Sequence, residues 1–312
     1  MSIVVIGSLN MDMVVRAERA PEAGETLFGQ GFALSPGGKG ANQAVAAARL
    51  GADVTMIGRV GKDAFGNGLL EIMQQEQIHT EYISRSESQA TGVASIVVDG
   101  AGENRIIVVP GANVEMTPED IEALEFVIAQ ARIVVMQLET DLAMCGAAAA
   151  IASRHGIPVI LNPAPARPLG DELLRHVTYL TPNETEAGIL AGITVESIDD
   201  AERAARILLQ KGVQHIIVTL GSKGALIVNA AGSLHVPGFP VHAVDTVAAG
   251  DSFNGALAWQ LTRGKTLDEA VRFANAVGAL AVGKAGAISS LPRLDEVEQF
   301  LQQAADAERG EQ

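Results

Sequence analysis

The chain has 312 residues, of which 48% are hydrophobic, 4% aromatic and 19% charged. That length supports one large α/β domain or two modest ones, and the apolar share requires a packed core, which excludes a disordered chain. The formal net charge of −15 argues against a nucleic-acid partner, since phosphate backbones need a basic face. Phosphorylated metabolites stay open, because a local cradle of N–H groups needs no global positive charge.

The N-terminal run Ile3–Ile6 reads as a buried strand; without a basic flank it does not read as a signal peptide. Asn10 and Asp12 follow it, at the strand end where open α/β sheets hold ligands. Gly37, Gly38, Lys39 and Gly40 open a helix over Ala41–Leu50 that carries Asn42. A strand at Val54–Ile57 and a helix at Phe65–Gln75 come next. Two regions, Met13–Phe32 and Thr91–Val109, hold strand-like runs with no helix between them. The turn signal Asp99-Gly100-Ala101-Gly102 lies inside the second. These regions predict a small antiparallel sheet outside the main one, or else an ordinary surface hairpin.

The alternation then resumes. A helix over Pro118–Gln130 precedes the strand Ile133–Met136, and Glu139 follows that strand. The helix Leu142–Arg154 carries the single cysteine, Cys145, which reads as a packed thiol in a reducing cytoplasm. Its apolar stretch is too short to span a bilayer, and no membrane partner is expected. Strands at Pro158–Leu161 and Tyr179–Leu180 lead to Thr181-Pro182-Asn183-Glu184-Thr185-Glu186, the entry to a helix over Glu184–Ala191. A helix at Asp200–Lys211 and a strand at Ile216–Thr219 precede the turn Thr219-Leu220-Gly221-Ser222-Lys223-Gly224. The segment after Leu294 reads as one acidic helix that frays at its end.

The most informative segment is Asp245-Thr246-Val247-Ala248-Ala249-Gly250-Asp251-Ser252-Phe253-Asn254-Gly255. Small residues feed the first turn of an apolar-periodic helix. N–H groups at such a turn can hold a phosphoryl group. Ala248, Ala249 and Gly250 leave room for it, and Asp251 beside it could take a proton from an attacking hydroxyl. A plain aspartate N-cap fits the same position. Other chemistries lose ground. Gly7 is alone after its strand, so no dinucleotide loop forms, and Trp259 stands where a Walker A loop ending in Gly264-Lys265-Thr266 needs glycine. No His/Cys cluster has zinc spacing.

DTVAAGDSFNG closely resembles the C-terminal signature of the PfkB-type carbohydrate kinases, and Gly37-Gly38-Lys39-Gly40-Ala41-Asn42-Gln43-Ala44 resembles their N-terminal one. The likeness runs in order from the first strand to about Pro292. It implies a single α/β domain over 1–312, with a doubly wound, mostly parallel sheet flanked by helices. The regions 13–33 and 91–109 would form a small antiparallel β lid that also makes a homodimer contact. It implies ATP-dependent phosphorylation of D-ribose, with Asp251 as base and Ala248, Ala249 and Gly250 as anion hole.

By the same resemblance Asn10, Asp12, Gly38, Lys39, Asn42 and Glu139 bind the sugar, and their donor and acceptor groups suit its hydroxyls. Asn183, Thr219, Gly221, Ser222, Lys223, Gly224, Gly250 and Asn275 lie along ATP. Glu186 meets Mg²⁺ through water, which suits a cation that dehydrates reluctantly. Asp245, Val247, Ala281, Lys284, Gly286 and Ser290 surround K⁺, Lys284 through its carbonyl with its ammonium directed away. Read without the family, Asn183 is a helix cap and the segment 219–224 a hairpin turn. A deoxyribose, ketohexose or nucleoside kinase and a non-catalytic sugar or nucleotide sensor remain as rivals; few aromatic residues disfavour a nucleoside site.

Overall fold

The computed structural model describes residues 3–310. The strands are β1 (Ile3–Ile6), β2 (Asn10–Arg16), β3 (Gly31–Gly37), β4 (Val54–Gly61), β5 (His79–Ser86), β6 (Gly92–Val98), β7 (Asn104–Val109), β8 (Ile133–Met136), β9 (Val159–Leu161), β10 (Tyr179–Leu180), β11 (His215–Thr219), β12 (Gly224–Asn229) and β13 (Gly232–Pro237). The helices are α1 (Lys39–Arg49), α2 (Ala64–Gln75), α3 (Pro118–Glu122), α4 (Glu125–Ile128), α5 (Leu142–Arg154), α6 (Asp171–Leu174), α7 (Glu184–Ala191), α8 (Ile198–Gln210), α9 (Ala249–Thr262), α10 (Leu267–Val282) and α11 (Leu294–Gly310).

Nine strands form the main sheet in the order β13-β12-β11-β10-β9-β8-β1-β4-β5. Pairing is parallel from β11 to β5 and antiparallel at β11–β12 and β12–β13. This is the doubly wound sheet the alternating sequence requires. The central strand shows why its residues run apolar without a break. Ile3 and Val5 join one core, with α1, α2, α9, α10 and α11, while Val4 and Ile6 join the other, with α3 to α8. A strand covered on both faces has no side for polar residues. The chain winds outward to β4 and β5 first, then returns to β8 on the other side of β1. Loops therefore diverge above β1 and β8, and a crevice opens at the strand C-termini.

The second sheet has the order β3-β2-β6-β7. Its outer pairings are antiparallel, and the central β2–β6 pair is parallel. The pleat sorts its residues onto two faces. Asp12, Ala94, Ile106 and Val108 share one face, while Val15, Phe32, Ile107 and Val109 share the other.

Most element boundaries agree with the sequence pattern. The region 118–130 does not form one helix. Leu124 leaves helical dihedrals at φ −103°, ψ 12°, and α4 restarts there without a side-chain cap. Burial of Ile121, Val127 and Ile128 holds both pieces in place. Strands β5 and β13 had no clear sequence signal, because each edge strand carries polar residues on much of its length. The acidic tail is helical to Gly310, and any fraying beyond that lies outside the described residues.

Helices α1 and α9 cross at unusually close range. A Cβ on Gly255 would lie 2.7 Å from Ala46 Cβ and 2.8 Å from the Gln43 carbonyl oxygen. No side chain fits there without moving a helix. Gly255→Ala should therefore lower stability by about 1–3 kcal/mol, the usual cost of overpacking. The shift of the urea midpoint at constant slope checks this; an unchanged midpoint would mean the helices separate freely.

Candidate active site

A cavity of about 450 Å³ sits at the C-terminal end of the main sheet. It is lined by Asn10, Asp12, Gly38, Lys39, Asn42, Glu139, Asn183, Glu186, Thr219, Val247, Ala248, Gly250 and Asp251. Residues from both ends of the chain thus meet at one place. Of the sugar-site candidates, all six line it, as do the carboxylate and two of the small residues of the 248–251 turn.

The turn itself has a cause in the backbone. Ala248 is one of two described non-glycine residues with positive φ, at 60°. That conformation disfavours a side chain, and it starts α9 abruptly. The Gly250 and Asp251 N–H groups then have no acceptor among the described residues, as expected of a first helical turn. Unpaired N–H groups at the positive end of a helix dipole are the kind of donors that can hold an anion.

Asp251 is 6% exposed. Its side chain does not cap the helix. Instead Asn42 Nδ2 donates to Oδ2 at 2.8 Å, and Gln43 Nε2 donates to Oδ1 at 2.9 Å. A carboxylate accepts about four hydrogen bonds, so both oxygens keep capacity for a ligand. The Asn42 side-chain oxygen, Oδ1, is buried without a donor among the described residues. A sugar hydroxyl is the type of group that would satisfy it.

Glu139 ties the sugar end together. Its Oε2 accepts from Ser8 Oγ at 2.6 Å, Lys39 N at 3.1 Å and Asn10 Nδ2 at 3.4 Å. Gly38 allows this arrangement. It has φ 91°, and a Cβ there would come within 2.7 Å of Asn10 N. Neighbouring charges perturb one another. Burial, then the Glu139 and Asp251 carboxylates, raise the pKa of Asp12 from 3.8 to about 7. Burial alone would lower that of Lys39, but Asp251, Glu139 and Glu186 together hold it above its usual value. Burial raises that of Glu186 against its bond from Asn183 N–H.

Asn183 and Glu186 form a reciprocal capping box at the start of α7. The cap reading of Asn183 is therefore correct structurally, and both side chains also line the cavity. Among the described residues no three His, Cys, Asp or Glu side chains could hold a metal between them. A hydrated Mg²⁺ carried by phosphates fits Glu186 better than a protein cage would.

Other candidates lie outside the cavity lining. Gly221, Ser222 and Lys223 form an exposed turn. Gly224 is required by packing, since a Cβ would come within 2.2 Å of Val236 O. Asn275 ties α10 to β13 through bonds to Val236 O and Pro237 O. Asp245 bridges two loops, accepting from Val247 N at 3.0 Å and Gly286 N at 2.9 Å. Lys284 Nζ turns to Glu296 at 2.5 Å, while its N–H reaches Ala281 O. Buried Ser290 donates to Ala287 O. These loops adjoin the C-terminal end of α10, where the Val282 carbonyl accepts from Val244 N and Asp245 N.

The sequence reading missed several lining residues, among them Ala94, Ile96 and Ile106 of the second sheet and Asn162, Thr181 and Asn254. The first three look like any strand residues. Two roots hold that sheet over the cavity. Asp63 accepts from both Thr91 N and Thr91 Oγ at 2.7 Å. Asn113 bonds Leu9, Asn10 and Pro110.

A covered, polar crevice with unpaired N–H groups beside a buried carboxylate suits an enzyme that phosphorylates a polyhydroxylated substrate. Comparison with known proteins agrees. The model of the pfkB family carbohydrate kinases matches residues 1–294. A ribokinase of Haemophilus influenzae is 43% identical over 303 residues, covering 97% of this chain and 99% of the relative. A deoxyribokinase of Salmonella typhi is 38% identical, covering 96% and 99% respectively. The structure of Arabidopsis thaliana ribokinase complexed with ribose and ATP superimposes with a TM-score of 0.90 at 34% identity, covering 96% of this chain and 98% of that one. The chain belongs to the pfkB family of carbohydrate kinases. It is an ATP-dependent sugar kinase.

The raised pKa of Asp12 has a consequence for stability. The folded state binds this proton more tightly than the unfolded chain does. The contribution of Asp12 is therefore most favourable below about pH 4 and is lost as pH rises toward 7. Discounted for residual solvent, the penalty at pH 8 is on the order of 2 kcal/mol. Asp12→Asn should raise Tm by roughly 3 °C at pH 8 and little at pH 4. Thermal melts at both pH values check this; an equal change at both would show that Asp12 titrates normally.

Proposed function

We propose that this chain transfers the γ-phosphoryl group of ATP to the 5-hydroxyl of D-ribose. The observation that carries the reading is the buried Asp251 carboxylate, held by Asn42 and Gln43 beside the free N–H groups of the α9 turn. Asp251 accepts the hydroxyl proton as O5 bonds to the γ-phosphorus. The bond from that phosphorus to the β,γ-bridging oxygen breaks, and ADP leaves. N–H groups of Gly250 and Asp251, with Ala248 and Ala249 shaping the turn, stabilise the charge that develops.

The ring hydroxyls meet Asn10, Asp12, Gly38, Lys39, Asn42 and Glu139. Thr219 and Asn183 adjoin the nucleotide, with the exposed turn of Gly221, Ser222 and Lys223, buried Gly224 and Asn275 further along it. Among the charged lining residues, Asp12, Glu139, Glu186 and Asp251 outnumber Lys39. Phosphates entering such a site need a companion cation. Glu186 would hold a hydrated Mg²⁺, which would offset the phosphate charge. The second sheet serves as a lid that excludes water.

Dimerisation through the lid is part of this reading. Its outer face exposes Phe32 (62%), Ile107 (70%) and Val109 (54%), apolar side chains that a second copy of the chain would cover. The 38% identity to a deoxyribokinase favours deoxyribose as the second reading. A coupled ADP-release assay across a sugar panel separates the two.

Asp251→Asn keeps the shape and removes the base. Turnover should fall about 10²- to 10⁴-fold, with ribose and ATP affinities by calorimetry largely kept. Turnover close to that of the parent would leave Asp251 a structural residue only.

A monovalent cation, K⁺, between Asp245, Val247, Ala281, Lys284, Gly286 and Ser290 would hold the 245–250 turn in shape. Its effect would act through the N–H groups that meet phosphate. Initial rates should rise with K⁺ at constant ionic strength and exceed those in Na⁺. A flat response against a bulky organic cation removes the cation site and leaves the kinase reading intact.

A further inference from the structure

The hydrogen bonds behind Asp251 run in one direction. An ionised carboxylate has no hydrogen to give. The Gln43 amide that meets Oδ1 must therefore present Nε2, as it does at 2.9 Å. The same nitrogen reaches Asn162 Oδ1 at 3.2 Å. Gln43 Oε1 is thereby turned to Gln137, whose Nε2 donates to it at 2.7 Å.

This order has a cost at its far end. Gln137 Oε1 is buried with no donor among the described residues. It lies where a Cβ on Gly7 would come within 2.0 Å of it. Turning Gln137 round would relieve nothing, because two carbonyl oxygens would then face each other. Turning Gln43 as well would set its oxygen against the carboxylate. Gln43 and Gln137 are both fully buried, so water does not reach them to mend either arrangement. The orphaned oxygen follows from the two acceptors, Asp251 Oδ1 and Asn162 Oδ1, that Gln43 Nε2 serves, the second fixed by the bond from Asn162 Nδ2 to Thr181 O.

We infer that Gln43, locked by Gln137, is a positioning residue that holds the Asp251 carboxylate aimed at the acceptor hydroxyl. The inference rests on the reading of Asp251 as base. Gln43 fixes one carboxylate oxygen while Asn42 fixes the other, so the carboxylate plane cannot rotate. Loss of a donor to the charged form raises a carboxylate pKa. The other charged groups around the cavity are Lys39 from α1, Asp12 from β2, Glu139 after β8 and Glu186 from α7. They stay in place when the glutamines change, so a shift can be assigned to the amides.

The test uses Gln43→Met and Gln137→Met, which keep side-chain length and remove the amide, beside Asp251→Asn. For Gln43→Met, kcat should fall about ten- to hundredfold, the loss of one hydrogen bond to a charged group. KM for sugar and ATP should stay within about twofold. The acid limb of the kcat–pH profile should move up by about one pH unit. Gln137→Met touches neither Asp251 nor substrate, yet it should move the same limb the same way by less. If Gln43→Met does not fold, Gln137→Met carries the test alone. Profiles that superimpose on the parent, or losses confined to KM, overturn the relay while an inactive Asp251→Asn leaves the base in place. An active Asp251→Asn overturns both.

Discussion

The site depends on how closely α1 can approach α9. Gly255 brings the two helices together where any side chain would collide with Ala46 or the Gln43 backbone. That contact sets Asn42 and Gln43 of one helix against Asp251 of the other. The residues are more than 200 positions apart in the chain, and nothing local holds them together. Burial of α9 along nearly its whole first three turns fixes the carboxylate on a rigid element, which suits a group that must keep one geometry through a reaction.

Around this pair the sheet contributes its strand ends. Asn10 follows β1, Glu139 follows β8, Asn183 follows β10 and Thr219 closes β11. Parallel strands deliver their exits to one edge, so a doubly wound sheet gathers polar groups from many segments without a long loop. Glu139 then turns proximity into order. One of its oxygens accepts from β1–β2 and from the first N–H of α1. It neutralises a helix terminus and fixes the side of the cavity opposite Asp251.

The lid works by a different rule. A pleated sheet has two faces, and here both are used. Ala94, Ile96, Ile106 and Val108 close the cavity, while the outer face leaves Phe32, Ile107 and Val109 in contact with solvent. Asp63 and Asn113 pin its roots through side-chain bonds to backbone. The strands between are held mainly by each other, so the roots set the position of the sheet while its tips have fewer constraints.

The sequence by itself determined the class of fold and much of the site. Unbroken apolar runs such as Ile3–Ile6 and Ile133–Met136 can only be strands covered on both faces, and the alternating helices make their sheet parallel. Gly38 and the 248–251 segment were legible because glycines and small residues mark a helix entry that leaves room for close approach, whereas the positive φ of Ala248 and the missing aspartate cap were not. The tertiary structure alone decided which polar residues meet. Gln43, Gln137 and Asn162 look in sequence like ordinary amides on a helix and at two strand ends. Their meaning comes from a chain of hydrogen bonds that ends on Asp251, and only packing closes it. The same holds for the split of the 118–130 helix and for Gly224, which reads as a loop glycine and proves to be a packing constraint against β13. Local chemistry fixes what a segment can become; which distant partner it meets depends on volumes and exits that no single segment contains.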